Sequence, residues 1–176
     1  MRIRTDGLVE GVRYAASPNC DARPVDAQIE LIVIRNISLP PGEFGGPAII
    51  DFFLNHLEPA AHAYYAGIAN LRVSAHFLVR RDGEVIQFVS CAQRAWHAGV
   101  SQWRGRERCN DFSVGIELEG TDEIPFEDAQ YARLTSLIAA LKAQYPIVAV
   151  TGHSDIAPGR KTDPGPAFVW DRINSI

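Results

Sequence analysis

The stretch Val73–Val89, VSAHFLVRRDGEVIQFV, decides the fold of this chain. Two apolar runs, Val73–Val79 and Val85–Val89, flank the polar segment Arg81-Asp82-Gly83-Glu84. An Asp-Gly pair between two apolar runs is a strong hairpin signal, because these residues adopt the positive φ angles of a tight turn. The stretch therefore predicts two antiparallel strands joined by a turn at Asp82-Gly83.

Strand and helix patterns alternate on both sides of this hairpin. Glu30–Ile34 is a short β-branched run that predicts a buried strand ending at Arg35-Asn36, and Ser113–Leu118 (SVGIEL) predicts another central strand. Further patterns predict helices over Ala48–Leu57 and Phe126–Gln144, a last strand over Ile147–Val150, and a short terminal helix near Trp170–Ile173. This alternation predicts an α/β single domain with a central mixed β-sheet flanked by helices.

The composition narrows the class of protein. The length of 176 residues suits one domain, which we expect to span residues 1–176 with an irregular N-terminal arm over 1–28. The net charge of −4 offers no basic field for nucleic acid, and no apolar run reaches the roughly 20 residues of a membrane span.

Cys20, Cys91 and Cys109 form no CxxC pair, which favours free thiols. With no signal-peptide pattern after Met1, we expect the protein to stay in the cytoplasm. We also expect it to be a monomer.

Several polar residues follow the predicted strands. His153 comes directly after the last strand, and Asp163 lies on a Gly- and Pro-rich segment, so both could turn toward one metal ion. A loop His is more often a surface hydrogen-bonding residue, however, and Asp before Pro is a common turn former. Glu117 and Glu119 share one face of a strand, either facing a site or lying at the exposed strand end. Lys161 either stabilises an oxyanion or is simply solvated.

The other histidines leave a similar choice open. Trp96 and His97 are neighbours in a loop, where they form either a sugar-stacking wall or part of the core. His76 alternates with apolar residues on a strand, which favours a structural role. His62 is open to both interpretations.

Five segments, in their order along the chain, closely resemble the AmpD-type amidases. They are IRNISLPPGEFGGP (34–47), NLRVSAHFLVRRDGEVIQFV (70–89), RAWHAGVS (94–101), GRERCNDFSVGIELEGTD (105–122) and GHSDIAPGRKTDPG (152–165). AmpD-type amidases form part of the type-2 N-acetylmuramoyl-L-alanine amidases and peptidoglycan recognition proteins. The resemblance covers nearly the whole chain, from Gly7 to the segment around Trp170.

The resemblance implies a reaction and a site. The reaction is hydrolysis, by zinc-activated water, of the amide bond between anhydro-N-acetylmuramic acid and L-alanine in muropeptides during peptidoglycan recycling. One Zn²⁺ would be held by a His at the end of the first core strand together with His153 and Asp163. Glu117 matches the catalytic glutamate, and Lys161 matches the lysine that stabilises the oxyanion. Residues that match the family's substrate-binding positions are Asn36, Arg72, Ala95, Trp96 and Arg108.

Arg35 departs from the family pattern. Members have Val or Ile, then His-Asn, at this strand end, whereas this chain has Ile34-Arg35-Asn36. Arginine has no lone pair to offer zinc, so zinc occupancy should fall sharply. Three explanations are open: an inactivating substitution, a natural variant that binds cell-wall fragments without cutting them, or a shifted zinc site completed by His97 or His62. The sequence therefore leaves two functions, a zinc amidase disabled at Arg35 and a metal-free muropeptide-binding protein of the same fold.

Overall fold

The computed structural model describes residues 1–173 of the chain. Its strands, in chain order, are β1 (Arg13–Tyr14), β2 (Cys20–Ala22), β3 (Leu31–Ile37), β4 (Phe77–Val79), β5 (Val85–Gln87), β6 (Gln93–Ala95), β7 (Gln102–Trp103), β8 (Arg106–Glu107), β9 (Ser113–Glu119) and β10 (Ala149–Gly152). Its α-helices are α1 (Ala48–Phe53), α2 (Ala63–Ile68), α3 (Asp128–Gln144) and α4 (His153–Ile156), with short 3-10 helices at Pro59–Ala61, Cys109–Asp111 and Trp170–Arg172.

Six of these strands form one mixed sheet in the order β1-β5-β4-β9-β3-β10. Neighbouring strands are parallel except β4 and β5, which are antiparallel and pair Phe77 with Gln87 and Val79 with Val85. The predicted hairpin is therefore confirmed, and Gly83 at its turn has a φ of 86°. Because a single antiparallel pair interrupts the parallel strands, the sheet is mixed, as the sequence predicts.

The two faces of the sheet are covered by different parts of the chain. On one face Ile32 and Ile34 of β3 pack in a core cluster with the apolar residues of α3. On the other face Leu31 and Val33 pack in a second cluster with Phe112 and with Ile156 of α4. A third cluster joins α1 and α2 to the β4–β5 hairpin. Side chains alternate along a strand, so Arg35 continues the row of Leu31 and Val33, away from α3.

The ends of several strands and helices differ from the predicted ends, and strand pairing or backbone conformation explains the differences in β3 and α1. β3 continues to Ile37, beyond the predicted end at Arg35-Asn36, because residues 35–37 pair in register with residues 117–119 of β9. α1 ends at Phe53, short of Leu57, since Asn55 has a positive φ of 63° that no α-helix continues. The N-terminal arm contains β1, which joins the main sheet, and β2, which pairs with β6. The predicted terminal helix is a single 3-10 turn.

No helix within residues 1–173 combines the length and the apolar character needed to cross a membrane. Cys20, Cys91 and Cys109 are all free thiols, as the sequence predicts.

Candidate functional site

The carboxyl ends of three adjacent parallel strands bring the candidate residues together. Arg35 of β3 pairs with Glu117 of β9 across the ladder, and both side chains therefore project from the same face. On the other side of β3, Gly152 of β10 pairs with Ile34, so that His153 follows at the level of Arg35. Asp163 reaches this point on a loop that is held by a hydrogen bond from the Ser154 amide to the Asp163 carbonyl, at 2.9 Å. Sites collect at such strand ends in open α/β sheets.

The guanidinium of Arg35 lies at the centre of this group. Its Nη1 is 2.9 Å from Oε1 of Glu117, and its Nε donates a hydrogen bond of 3.0 Å to Nδ1 of His153. The same Nε is 3.5 Å from Oδ2 of Asp163. Only 14% of the Arg35 side chain is exposed, so these contacts are poorly screened by water. One cation thus contacts two carboxylates and one imidazole.

The Nδ1 lone pair of His153 points at the guanidinium of Arg35. Its Nε2 lies 3.2 Å from the carbonyl oxygen of Ala98, to which it donates, which leaves Nδ1 as an acceptor in the neutral ring. Burial lowers the pKa of His153, against the opposing effect of its contact with Asp163, and this favours the neutral ring. The carboxylate oxygens of Asp163 lie 3.0 and 3.1 Å from Nδ1. The imidazole lone pair and the carboxylate therefore converge on the guanidinium.

Asp163 is charged in this arrangement. Burial by itself would raise the pKa of Asp163, but its contact with His153 and the positive charge of Arg35 together lower it. The carboxylate therefore carries its negative charge next to Arg35 at neutral pH.

Glu117 is the second carboxylate of the centre, and it is almost completely buried. Its Oε1 contacts Arg35, whereas its Oε2 has no hydrogen-bond partner within residues 1–173. Burial raises the pKa of Glu117 to about 7, although Arg35 and Lys161 act in the opposite direction. A carboxylate with a pKa close to neutrality is suited to accept and return a proton.

Glu119 shares this face of β9 but has a structural role. Its Oε1 accepts a hydrogen bond of 2.7 Å from the amide of Gly45, and its Oε2 accepts one of 3.1 Å from the amide of Arg81. These bonds attach the loop after β3 and the β4–β5 turn to the end of β9. Residue spacing alone left the two glutamates equivalent, and the resemblance pointed to Glu117, which is the one that faces the centre.

The residues present do not fit a zinc ion. His153 and Asp163 are the two ligand-type side chains at the expected position, and no group of three His, Cys, Asp or Glu side chains within residues 1–173 could hold a metal. His97 does not complete a shifted site, because no group of three ligand-type side chains within residues 1–173 includes it. Its Nε2 bonds to Ser113 Oγ at 3.0 Å, and its unpartnered Nδ1 is packed against Gly115 inside the core. His62 does not either, since its Nδ1 accepts from the Tyr64 amide at the exposed start of α2.

Two grooves open beside the centre, and Arg35, Asn36 and Lys161 line both of them. The first has a volume of about 380 Å³ and an apolar wall that includes Tyr64 and Leu71, both well exposed. The second has a volume of about 580 Å³ and a polar wall formed mainly by residues 121–123 and 160–163. The centre therefore lies between an apolar and a polar surface.

The predicted substrate-binding residues are distributed unevenly around these grooves. Asn36 lies in both and donates through Nδ2 to Asp122 Oδ1 at 2.7 Å and to the Pro164 carbonyl at 3.1 Å. Arg108 lines a neighbouring groove of about 550 Å³. Arg72 is exposed and its Nη1 bonds to the carbonyls of Ala69 and Leu71.

Ala95 and Trp96 are less accessible. Ala95 is fully buried in the core cluster that contains α1 and α2, so its methyl group does not reach a groove. Trp96 is half-buried. The structure does not bring these two side chains to the lining of the grooves around Arg35.

Arg160 is a residue that the sequence analysis missed. Its Nη2 donates to the carbonyls of Ala98 and Val100, at 2.8 and 2.6 Å, and it lines the grooves on both sides of this contact. His153 shares the Ala98 carbonyl, which connects Arg160 to the centre. Its place next to Lys161 in the segment GRKTDPG is the signal that could have drawn attention to it.

Comparisons with known proteins identify the family and the fold. The family model described as N-acetylmuramoyl-L-alanine amidase matches residues 27–166. The 1,6-anhydro-N-acetylmuramyl-L-alanine amidase AmpD of Escherichia coli (strain K12) is 59% identical over 172 residues, which cover 97% of this chain and 94% of that protein. A crystal structure of an Se-Met derivative of AmpD has a TM-score of 0.97 and 55% identity, covering 99% of this chain and 98% of that chain.

A solved complex adds a ligand to these comparisons. The amidase AmiD from E. coli is bound there to the substrate anhydro-N-acetylmuramic acid-L-Ala-D-gamma-Glu-L-Lys. The structure has a TM-score of 0.60 and 31% identity, and the match covers 88% of this chain and 58% of that chain.

Proposed function

The chain belongs to the N-acetylmuramoyl-L-alanine amidase family, and on this premise we propose that it acts on anhydro-muropeptides in peptidoglycan recycling. The bond concerned is the amide between anhydro-N-acetylmuramic acid and L-alanine. The names of its relatives and their coverage of nearly the whole chain support this choice of substrate.

The observation that carries the proposal is the position of Glu117 and Lys161 in one groove beside the strand ends. Glu117 has a free Oε2, and it accepts a proton from the attacking water and passes it to the leaving amine. The Lys161 side chain makes no hydrogen bond or ion pair with other residues in the described range 1–173, so its ammonium is available to stabilise the oxyanion. Together the two residues provide the proton transfers and part of the charge stabilisation that amide hydrolysis requires.

The surfaces around the centre suit the two halves of the substrate. Tyr64 and Leu71 offer an apolar wall for the sugar ring, and AmiD shows that a relative binds such a sugar joined to a peptide. Arg108 and Arg160 line the neighbouring groove, where guanidinium groups can bind the carboxylates of the stem peptide in a two-pronged geometry.

A second candidate function is binding of the same muropeptide without cleavage, and Arg35 is the observation that favours it. Zinc normally lowers the pKa of its bound water toward about 7, and the residues present here do not fit a zinc ion. Arg35 also holds the carboxylate of Glu117 in an ion pair of 2.9 Å, which reduces its availability as a base. Both effects slow hydrolysis and leave the groove in place for binding.

The proposal places the protein in the cytoplasm as a monomer that binds neither nucleic acid nor membrane. Three free thiols support a reducing compartment, because oxidising compartments favour disulfides. The net charge of −4 gives no attraction for nucleic acid.

The test uses an anhydro-muramyl-tripeptide with the native chain, Arg35→His and Arg35→His/Glu117→Gln. Liquid chromatography with mass spectrometry measures the released peptide, and calorimetry measures binding. Release by the native chain supports the amidase function, and Glu117→Gln should remove the activity of the active form. Binding without release, together with release by Arg35→His in the presence of zinc, supports the second candidate. Absence of both binding and release in native chain and Arg35→His rejects both functions.

A further inference from the structure

We propose that the guanidinium of Arg35 takes the place of the metal ion, so that this chain keeps its centre assembled without a metal. The inference concerns the centre and goes beyond the proposed function, because it holds whether or not the bound muropeptide is cleaved.

The charges of the centre require a cation at this position. Glu117 and Asp163 bring two carboxylates into a region where their side chains are 2% and 12% exposed, and buried carboxylates are costly without a partner. Arg35 contacts both of them. A guanidinium is charged at any working pH, so it supplies this compensation permanently.

The lone pairs that a metal would use are already engaged. Nδ1 of His153 accepts the hydrogen bond from Nε of Arg35, and Oδ2 of Asp163 lies 3.5 Å from the same nitrogen. A dication would have to displace the guanidinium from both groups while remaining next to its positive charge. Like charges at such a distance repel strongly in a poorly hydrated site.

The guanidinium has little freedom to leave. Arg35 lies within β3, which is paired on one side with β9 and on the other with β10, so its backbone is held on both sides. Its side chain is 14% exposed and contacts groups from β9, from α4 and from the loop that carries Asp163. Opening the centre for a metal therefore costs three polar contacts at once.

The experiment measures metal uptake and thermal unfolding, which need no substrate. The native chain and Arg35→His are incubated with excess ZnCl₂, and unbound metal is removed. Native mass spectrometry then measures the number of zinc ions bound per chain. Melting temperatures are recorded with ZnCl₂ and with EDTA. We expect the native chain to retain essentially no zinc and to shift its melting temperature by less than about 1 °C with either reagent. Arg35→His should retain one zinc ion per chain and melt several degrees higher with ZnCl₂ than with EDTA.

Arg80→His is the matched control. Arg80 is another largely buried arginine, paired with Glu119 at 3.5 Å, with side-chain exposures equal to those of the Arg35–Glu117 pair. Its environment lacks the His153–Asp163 pair, so Arg80→His should not gain zinc.

Stoichiometric zinc in the native chain, lost in His153→Ala, would overturn the inference. This readout comes from the native chain and stays decisive even if Arg35→His does not fold. It is also separate from the proposed function, since a metal-free native chain that fails to bind muropeptide rejects the function and leaves the inference standing.

Discussion

At position 35 a single side chain connects segments that lie far apart in the sequence. Arg35 is 118 positions from His153, and its guanidinium also contacts Glu117 and Asp163. Breaking a buried ion pair by removing one partner is strongly destabilising, because it leaves an uncompensated buried charge. Here two carboxylates would lose their cation together, so the stability of the strand ends depends on this residue.

Arg35→Ala should therefore lower the free energy of unfolding by about 3 kcal/mol, measured by urea denaturation in metal-free buffer. Glu117→Gln removes one of the two stranded charges, so the double variant Arg35→Ala/Glu117→Gln should lose at least about 1 kcal/mol less than the sum of the single variants. Strict additivity of the two substitutions would show that the Arg35–Glu117 pair contributes no coupling energy.

At the scale of elements, β9 and α3 position the catalytic candidate Glu117. β9 is buried along its full length between β4 and β3. Gln130 of α3 is completely buried, and its Nε2 donates to the carbonyls of Val79 at 3.1 Å and Glu119 at 3.0 Å, at the ends of β4 and β9. Its Oε1 accepts from the amide of Glu127 at 3.0 Å and so caps α3. One side chain thus attaches the helix to the strand ends beside the site.

Gln130→Leu should destabilise the protein by about 2–4 kcal/mol, because buried backbone groups would lose their hydrogen-bond partners. Chemical denaturation followed by circular dichroism measures this change. Gln144→Leu makes the same substitution at an exposed position at the end of α3 and should remain within about 0.5 kcal/mol of the native value. Equal effects of the two substitutions would mean that the loss comes from helix propensity and not from the strand contacts.

At the scale of the whole molecule, a buried group of basic side chains lies under the site. His76 donates through Nε2 to the Gln93 carbonyl and accepts at Nδ1 from the Gly115 amide, which defines a neutral ring. Burial, and then the charge of Arg23, lowers the pKa of His76 to about 3. Burial also lowers the pKa of His97, whose ring packs edge-on against His76 at 5.7 Å. The predicted structural role of His76 agrees with these contacts.

These shifts make the fold sensitive to acid. The unfolded chain binds a proton at His76 near pH 6.5 and the folded chain only near pH 3, so the stabilisation present above pH 6.5 is lost as the pH falls toward 3. The contribution of His76 to this loss approaches about 1.4 kcal/mol per pH unit. Urea titrations between pH 4 and pH 8 should show a shallower slope for His76→Gln than for the native chain.

The comparison with His76→Gln isolates one group. Burial raises the pKa of Glu117 from 4.5 to about 7, which favours the folded state at low pH and opposes the effect of His76. This contribution is present in both proteins and cancels in the difference between their slopes. Identical slopes would show that His76 does not remain neutral in the folded state.

The sequence by itself determined the local structure and the identity of the chemical groups. The Asp82-Gly83 hairpin, the strand over Ser113–Leu118 and the helix before Pro146 follow from turn chemistry and apolar periodicity, which act over a few residues. The family followed from short motifs, and these also placed His153, Lys161 and Asp163 after the last strand, where His153 begins α4.

Only the tertiary structure decided which of these groups meet. It showed that Glu117 contacts Arg35, whereas Glu119 binds the Gly45 and Arg81 amides. Both side chains project from the same face of β9, so residue spacing does not give these contacts. It also placed Arg35 between the ligand-type side chains, whereas the sequence showed only that a ligand was missing. The reason is physical: such contacts depend on strand register and on loops that return from more than a hundred residues away, and no local pattern encodes them.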